Sequence, residues 1–212
     1  WSPERLDRSF RPLTFLTYAV NLRLSEEAWA FHAVNLTLHA VLVLLLYFLL
    51  LELLGNAVLA ASGSALFAVL PIHTEAVASI GGRSEILAAL AIFGAWLLAL
   101  KNSRRAAEGR ESLGLACGAG AVTFAGLFAR ENAALVVPIL VLAGCWAARR
   151  KVPWVTVAGC AAAAASYLAI RETILQGRGS QVLFVDNPLF FAAGLTRFLN
   201  AEHDPALEQL ER

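Results

Sequence analysis

The chain has 212 residues, 58% of them hydrophobic and 16% charged, with a mean hydropathy of +0.65 and a formal net charge of +1. Soluble domains carry about 25% charged residues, so this composition excludes an ordinary water-soluble globule. The near-neutral balance leaves no electrostatic footprint for nucleic acid.

Charged residues are clustered, which leaves uncharged windows at 28–51, 53–74, 86–100, 112–129, 132–148 and 152–170. A helix crossing the hydrocarbon of a bilayer needs roughly 17 to 25 mostly apolar residues. Five windows meet that length, and 86–100 reaches it with Ser84 and Glu85 at the membrane edge. No window shows a polar face wide enough for a water-exposed helix. The windows therefore predict an all-α fold, a polytopic transmembrane bundle of about six spanning helices. Residues 1–200 form the membrane domain and 201–212 a polar tail.

Residues 1–27 are polar and carry Arg5, Arg8, Arg11 and Arg23, without the apolar stretch of a signal peptide. The chain opens on Trp1 and contains no methionine, so it reads as an internal piece of a longer protein. In the first window His32, Asn35 and His39 stand at i, i+3 and i+7, one stripe of a helix. Such a stripe is costly against lipid and is expected to face the bundle interior. Asn35-Leu-Thr37 matches a glycosylation acceptor, but it lies inside a span where no transferase reaches it.

Between the second and third windows lies Pro71-Ile-His-Thr-Glu-Ala-Val-Ala-Ser-Ile-Gly-Gly-Arg-Ser-Glu85. His73 and Glu75 close one span, Gly81-Gly82 interrupts the chain, and Arg83 and Glu85 open the next. An ionisable group at membrane depth costs at least roughly 2.5 kcal/mol, so such groups are paired, hydrated or functional. The bland reading is an interfacial Arg–Glu pair that caps two helices.

Lys101, Arg104, Arg105 and Arg110 lie in one loop and Arg149, Arg150 and Lys151 in another, against Arg83 and Arg130 in the alternate loops. That asymmetry assigns loops 101–111 and 149–151 to the cytoplasm and the 71–85 knot to the outer face. Arg130-Glu131-Asn132 makes a second outer knot, and Asp186-Asn187-Pro188 a further polar element after the sixth span. Cys117, Cys145 and Cys160 lack metal-ligand or redox spacing and read as small buried hydrophobes. No metal site and no cofactor motif is legible.

All the polar knots open toward one face, as in a cavity near one leaflet for a ligand with a charged head and an apolar tail. Guanidinium groups such as Arg83 and Arg130 suit phosphate through bidentate hydrogen bonds. His73, Glu75, Glu85 and Glu131 suit a hydroxyl or a proton, with His32, Asn35, His39 and Asp186 lining the same space.

The set Phe10-Arg-Pro-Leu-Thr14, Phe31-His-Ala-Val-Asn-Leu-Thr-Leu-His39, Pro71-Ile-His-Thr-Glu75, Gly82-Arg-Ser-Glu85, Arg130-Glu131 and Asp186-Asn-Pro188 resembles the transmembrane and tetratricopeptide repeat proteins and their bacterial relatives. These are C-type glycosyltransferases related to protein O-mannosyltransferases. In this sequence Leu70 stands where the family usually has a histidine, Arg130 where lysine is usual, and Glu85 where aspartate is common. The resemblance implies a polyprenyl- or dolichyl-phosphate sugar as donor, mannose-like, and a protein or other hydroxyl as acceptor. Transfer takes place on the non-cytoplasmic face. The resemblance also puts the acidic pair that would act as base before Trp1, so that the catalytic residues are unknown here and residues 1–212 alone are expected not to transfer sugar. The arginine-rich composition favours a bacterial inner membrane over the endoplasmic reticulum. The alternative function is a transporter or flippase for an anionic lipid or solute, although no internal repeat links residues 28–100 with 112–170.

Overall fold

The computed structural model describes residues 11–130, 139, 141, 143, 145 and 150–175. Every regular element among them is helical, as expected. α1 (Pro12–Leu24) begins with proline in its first turn, where a missing N–H costs nothing. α2 (Ala28–Leu54) ends at Gly55, whose φ of 66° lets its N–H reach back to the Leu51 carbonyl. Asn56 then caps α3 (Ala57–Val69), its side chain accepting from the N–H groups of Val58 and Leu59. One left-handed glycine and one asparagine thus turn the chain between two apolar helices.

Here the sequence expectation needs correcting. The window 53–74 is not one continuous span. α3 has 13 residues, and a 53° bend separates it from Pro71–Ala78. Pro71 holds Leu70 in an extended conformation, with ψ 127°, which ends the helix. A 3-10 turn at Pro71–His73 leads into the short α4 (Thr74–Ala78), and a second at Ile80–Gly82 leads into α5 (Arg83–Ala107). α6 (Leu113–Ala129) starts at the Ser112 cap, and α7 (Trp154–Leu175) follows Pro153.

Three described helices are long and apolar enough to cross a membrane: Ala28–Leu54, Ile80–Ala107 and Trp154–Arg171. The bent pair raises that to four, and α6 is apolar but shorter. Six spans are not reached among the described residues, because α6 is shorter than a span and most of the window 132–148 lies outside them.

α5 packs between α2 and α6, α6 packs on α7, and α3 folds back on α2. One core cluster joins Ala95, Ala99, Ala119, Val141, Cys145 and Cys160, another Leu49, Leu97 and Leu100. Small residues allow this approach: a Cβ on Gly120 would lie 3.1 Å from the Gly159 carbonyl oxygen. Cys145 and Cys160 are buried as expected, but Cys117 is exposed, on a side of α6 that these contacts do not cover. Outward residues such as Leu36, Leu44, Phe48, Val58 and Leu66 are large, apolar and exposed, which suits a solvent of lipid tails.

The turns sort into two opposite ends. At one, Glu52 accepts from Arg104 at 2.6 Å and from Arg150 at 2.8 Å, so the end of α2 meets the end of α5 and the approach to α7. Beside it Asn102 donates to Thr156 and accepts from the Ser112 N–H, joining α5, α6 and α7. The other end gathers α1, the 71–83 turns and Arg130.

Candidate functional site

At that second end the candidate residues divide into a buried tie and an open cleft. Gly82 creates the division. A Cβ on it would lie 2.2 Å from the Ala76 carbonyl oxygen, so only glycine lets the start of α5 press against α4. That approach drives Arg83 inward. Its side chain is fully buried. Nε donates to Asn35 Oδ1 at 2.8 Å, and Nη2 donates to Asn21 Oδ1 at 2.9 Å and to the Phe31 carbonyl at 3.3 Å. Nη1 donates to the Thr17 carbonyl at 3.2 Å. The guanidinium also lies 4.7 Å from the centre of the Tyr18 ring and 5.6 Å from that of Phe31. The expectation that Arg83 offers its fork to a phosphate therefore does not fit this geometry, because the fork is already occupied.

Asn35 completes the tie. Its amide accepts from Arg83 and donates to the carbonyls of Ser79 at 3.0 Å and Val77 at 3.4 Å, which pins α2 to the end of α4. α1 joins from the other side. Tyr18 donates to the Ile80 carbonyl at 2.5 Å and Thr14 to the Ala129 carbonyl at 3.4 Å. Burial pushes the Tyr18 phenol above its ordinary pKa, with Arg83 opposing, so the hydroxyl keeps the proton it donates.

The cleft is about 460 Å³ and is lined by Ile72, His73, Glu75, Ala76, Ser79, Gly81, Gly82 and Glu85. Glu85 pairs with Arg130, the residue that ends α6. Both are partly exposed, so the pair sits on the rim. Glu75 is exposed and has no ion pair among the described residues. His73 sets its ring 4.1 Å from that of Phe67 and 5.6 Å from that of His39, tilted by about 40° to each, and its Nε2 is buried without a hydrogen-bond partner among the described residues.

The expected inner stripe of α2 holds in part. Asn35 and His39 are buried, whereas His32 is exposed, in the first turns of the helix. Glu131 and Asp186 lie outside the described residues. The structure thus brings His73, Glu75, Glu85 and Arg130 to one opening, and Arg83 with Asn35 to the wall behind it. Sequence reasoning missed Thr14, Thr17, Tyr18 and Asn21. Their spacing of three and four is a polar stripe in an otherwise apolar run, and it was the available signal. Among the described residues no group of histidine, cysteine and carboxylate side chains suits a metal ion.

Comparison with known proteins supplies relatives for part of the chain. It is 40% identical to the human protein O-mannosyl-transferase TMTC3 over 97 residues, which is 45% of this chain and 10% of that protein. To the human protein O-mannosyl-transferase TMTC1 it is 45% identical over 92 residues, covering 42% of this chain and 10% of the relative. To the Drosophila melanogaster protein O-mannosyl-transferase Tmtc2 it is 35% identical over 128 residues, covering 59% and 14%. The chain therefore spans only a small part of the relatives it matches. These are animal proteins, and they lend no support to the bacterial inner membrane expected from composition. No protein-family model matches the chain. No solved structure matches it either. The multi-pass helical character thus comes with homologues that are protein O-mannosyl-transferases, matched over part of their length.

Proposed function

We propose that this chain is part of the membrane core of a C-type glycosyltransferase. The enzyme moves a mannose-like sugar from a polyprenyl- or dolichyl-phosphate donor to a protein hydroxyl on the non-cytoplasmic face. The observation that carries this reading is the cleft. A cation on its rim, Arg130, is held among the described residues by a partly exposed carboxylate, and two carboxylates and a histidine line the cleft. The lipid phosphate replaces Glu85 as the partner of Arg130, a charge-assisted exchange at little cost because the Glu85 pair is half in solvent. Glu75 and His73 accept hydrogen bonds from sugar hydroxyls. The acceptor oxygen bonds to the anomeric carbon as its proton passes to a carboxylate. The bond to phosphate breaks with its electron pair, and Arg130 stabilises the charge that develops there.

The test uses the full-length protein in vesicles with dolichyl-phosphate mannose and a serine- and threonine-containing acceptor peptide. Glu75→Gln is expected to weaken binding of the mannosyl donor by roughly tenfold, the cost of losing a charged acceptor, while leaving binding of sugar-free dolichyl phosphate unchanged. If the full-length protein transfers no sugar from any lipid-phosphate donor but moves an anionic lipid or solute across the vesicle, the transporter alternative replaces this one.

A further inference from the structure

The rim pair of Glu85 and Arg130 joins the start of α5 to the end of α6, and each partner is placed so that it can release the other. Glu85 stands in the first turn of α5, where the positive end of the helix stabilises a carboxylate without a counter-ion. Arg130 follows the last turn of α6 in extended backbone, beside the negative end of that helix, which suits a cation. The side chain of Glu85 is 50% exposed and that of Arg130 is 28% exposed, so water solvates both after separation. The pair at the far end of the bundle is built differently. There the Glu52 side chain is only 10% exposed and two arginines hold it, so its ion pairs cannot open without leaving a buried charge.

In the proposed reaction Arg130 holds the phosphate of the donor, and transfer changes that phosphate. The sugar-bearing donor is a phosphodiester with a single negative charge. The lipid left after transfer is a phosphate monoester, whose charge at neutral pH is roughly −1.5 to −2. A bare guanidinium would therefore hold the product more tightly than the donor, and slow product release limits turnover. Glu85 opposes this. Because it is fixed to α5 beside Arg130, it competes at the high effective concentration of an intramolecular partner, whatever the concentration of lipid. Competition weakens both ligands by the same factor, but the donor keeps the contacts of its sugar with the cleft and the product has lost them.

We infer that Glu85 is a tethered competitor for the phosphate site, which yields Arg130 to the donor and takes it back from the product. This rests on the proposed function and deepens it: Glu85 governs release of the lipid phosphate. The carboxylate must then weaken phosphate binding in the natural protein, the reverse of what a ligand-binding residue does.

The experiment measures equilibrium binding of dolichyl phosphate to the full-length protein in phosphatidylcholine nanodiscs. The natural protein, Glu85→Gln, Arg130→Ala and the double variant are compared. Glu85→Gln keeps the size of the side chain and removes its charge. It is expected to bind dolichyl phosphate about two- to fivefold more tightly, the range that corresponds to one partly exposed ion pair. In the Arg130→Ala background the same substitution should leave the affinity where Arg130→Ala alone puts it. No gain from Glu85→Gln, or a loss, would overturn the inference. A gain of the same size in the Arg130→Ala background would overturn it too, because Glu85 would then repel phosphate through space without occupying its site. Failure of the underlying reading looks different: Arg130→Ala would bind dolichyl phosphate as the natural protein does, and the inference would fall with it. Sugar transfer supplies a second readout. Added dolichyl phosphate should inhibit Glu85→Gln at about two- to fivefold lower concentration than it inhibits the natural protein, and equal inhibition would remove the role in release. Should Glu85→Gln fail to fold, Glu85→Ala keeps a good helix former in the same turn and carries the same comparison.

Discussion

Arg83→Lys tests whether the guanidinium is a tie within the bundle or a ligand for the donor. The arginine fork gives two short bonds to amide oxygens, 2.8 Å to Asn35 and 2.9 Å to Asn21, and these lie on different helices. Lysine keeps the charge but carries a single nitrogen without a planar fork, so it serves one of the two oxygens and leaves the other buried without a donor. A hydrogen bond to a charged group contributes roughly 1.5–3 kcal/mol, and an orphaned buried acceptor costs a similar amount. The variant is therefore expected to be less stable by about 2–3 kcal/mol. On the scale of a chain of this size, that is a drop in melting temperature of roughly 4–12 °C. The assay is thermal unfolding in detergent, followed by loss of the monodisperse peak in size exclusion, with no donor present. Amide exchange in Pro12–Leu24 should also quicken, because Asn21 and Thr17 are how α1 holds on. An unchanged melting temperature with a loss of donor affinity would refute the tie. It would restore the phosphate role that the sequence suggested for Arg83.

Arg130→Ala should raise the donor dissociation constant about tenfold, the cost of one charge-assisted contact. Its effect on melting should stay under about 1 kcal/mol, since the pair with Glu85 is partly in solvent; calorimetric binding and a melting curve separate the two. Gly82→Ala should destabilise by roughly 1–3 kcal/mol because its Cβ meets backbone at 2.2 Å, whereas Gly81→Ala should be tolerated, its nearest neighbour being the Ser79 hydroxyl at 3.6 Å. Melting curves of the two variants decide it. Glu52→Gln should lower stability by about 1–3 kcal/mol, mostly through the better-buried Arg150. It should leave donor affinity unchanged, because Glu52 lies at the far end of the bundle.

How much of this was legible in the sequence depends on which signal each feature leaves. Long apolar windows announce helices in lipid whatever packs on them, so Ala28–Leu54 was plain, whereas the α5 window 86–100 reached spanning length only with Ser84 and Glu85 at the membrane edge. The split of window 53–74 was less so, although Pro71 marked it, because hydropathy does not fall where the chain bends. α1 left a weak signal, since its polar side is only four residues long and its apolar side reads as noise in a charged segment. The cleft residues were found because ionisable groups are rare here. Their division into wall and opening was not, because it depends on the direction of one side chain, and that direction follows from Gly82 meeting Ala76. Likewise Glu52 looked like a break between two windows. Only the fold brings Arg104 and Arg150 to it from positions far along the chain.

The choice of partners for Arg83 bears on why an anion should come to this end at all. A buried cation held by a carboxylate presents little field to its surroundings. Among the described residues Arg83 has no carboxylate; it is held by two amide oxygens, two carbonyls and the faces of two aromatic rings, all of them neutral. Its charge is solvated but not cancelled. Carbonyl and amide dipoles lower the cost of burial and fall off faster with distance than a counter-charge would. Gly81 and Gly82 line the cleft and directly precede the buried Arg83, so part of its field reaches the opening through protein, which screens it less than water does. Glu85 and Arg130 neutralise each other on the rim, and of the two carboxylates that line the cleft Glu75 is the one without an ion pair among the described residues. A phosphate taking the place of Glu85 on Arg130 would therefore meet a second positive charge that no group at the site has used. The same argument explains how Arg83 can matter to an anion without touching it. Arg83→Met, which fills the space but removes the charge, should weaken dolichyl phosphate binding more than Arg83→Lys does once both variants are measured well below their melting temperatures. Equal losses in the two would mean that only the position of the Gly81–Gly82 turn counts, and not the field of the buried cation.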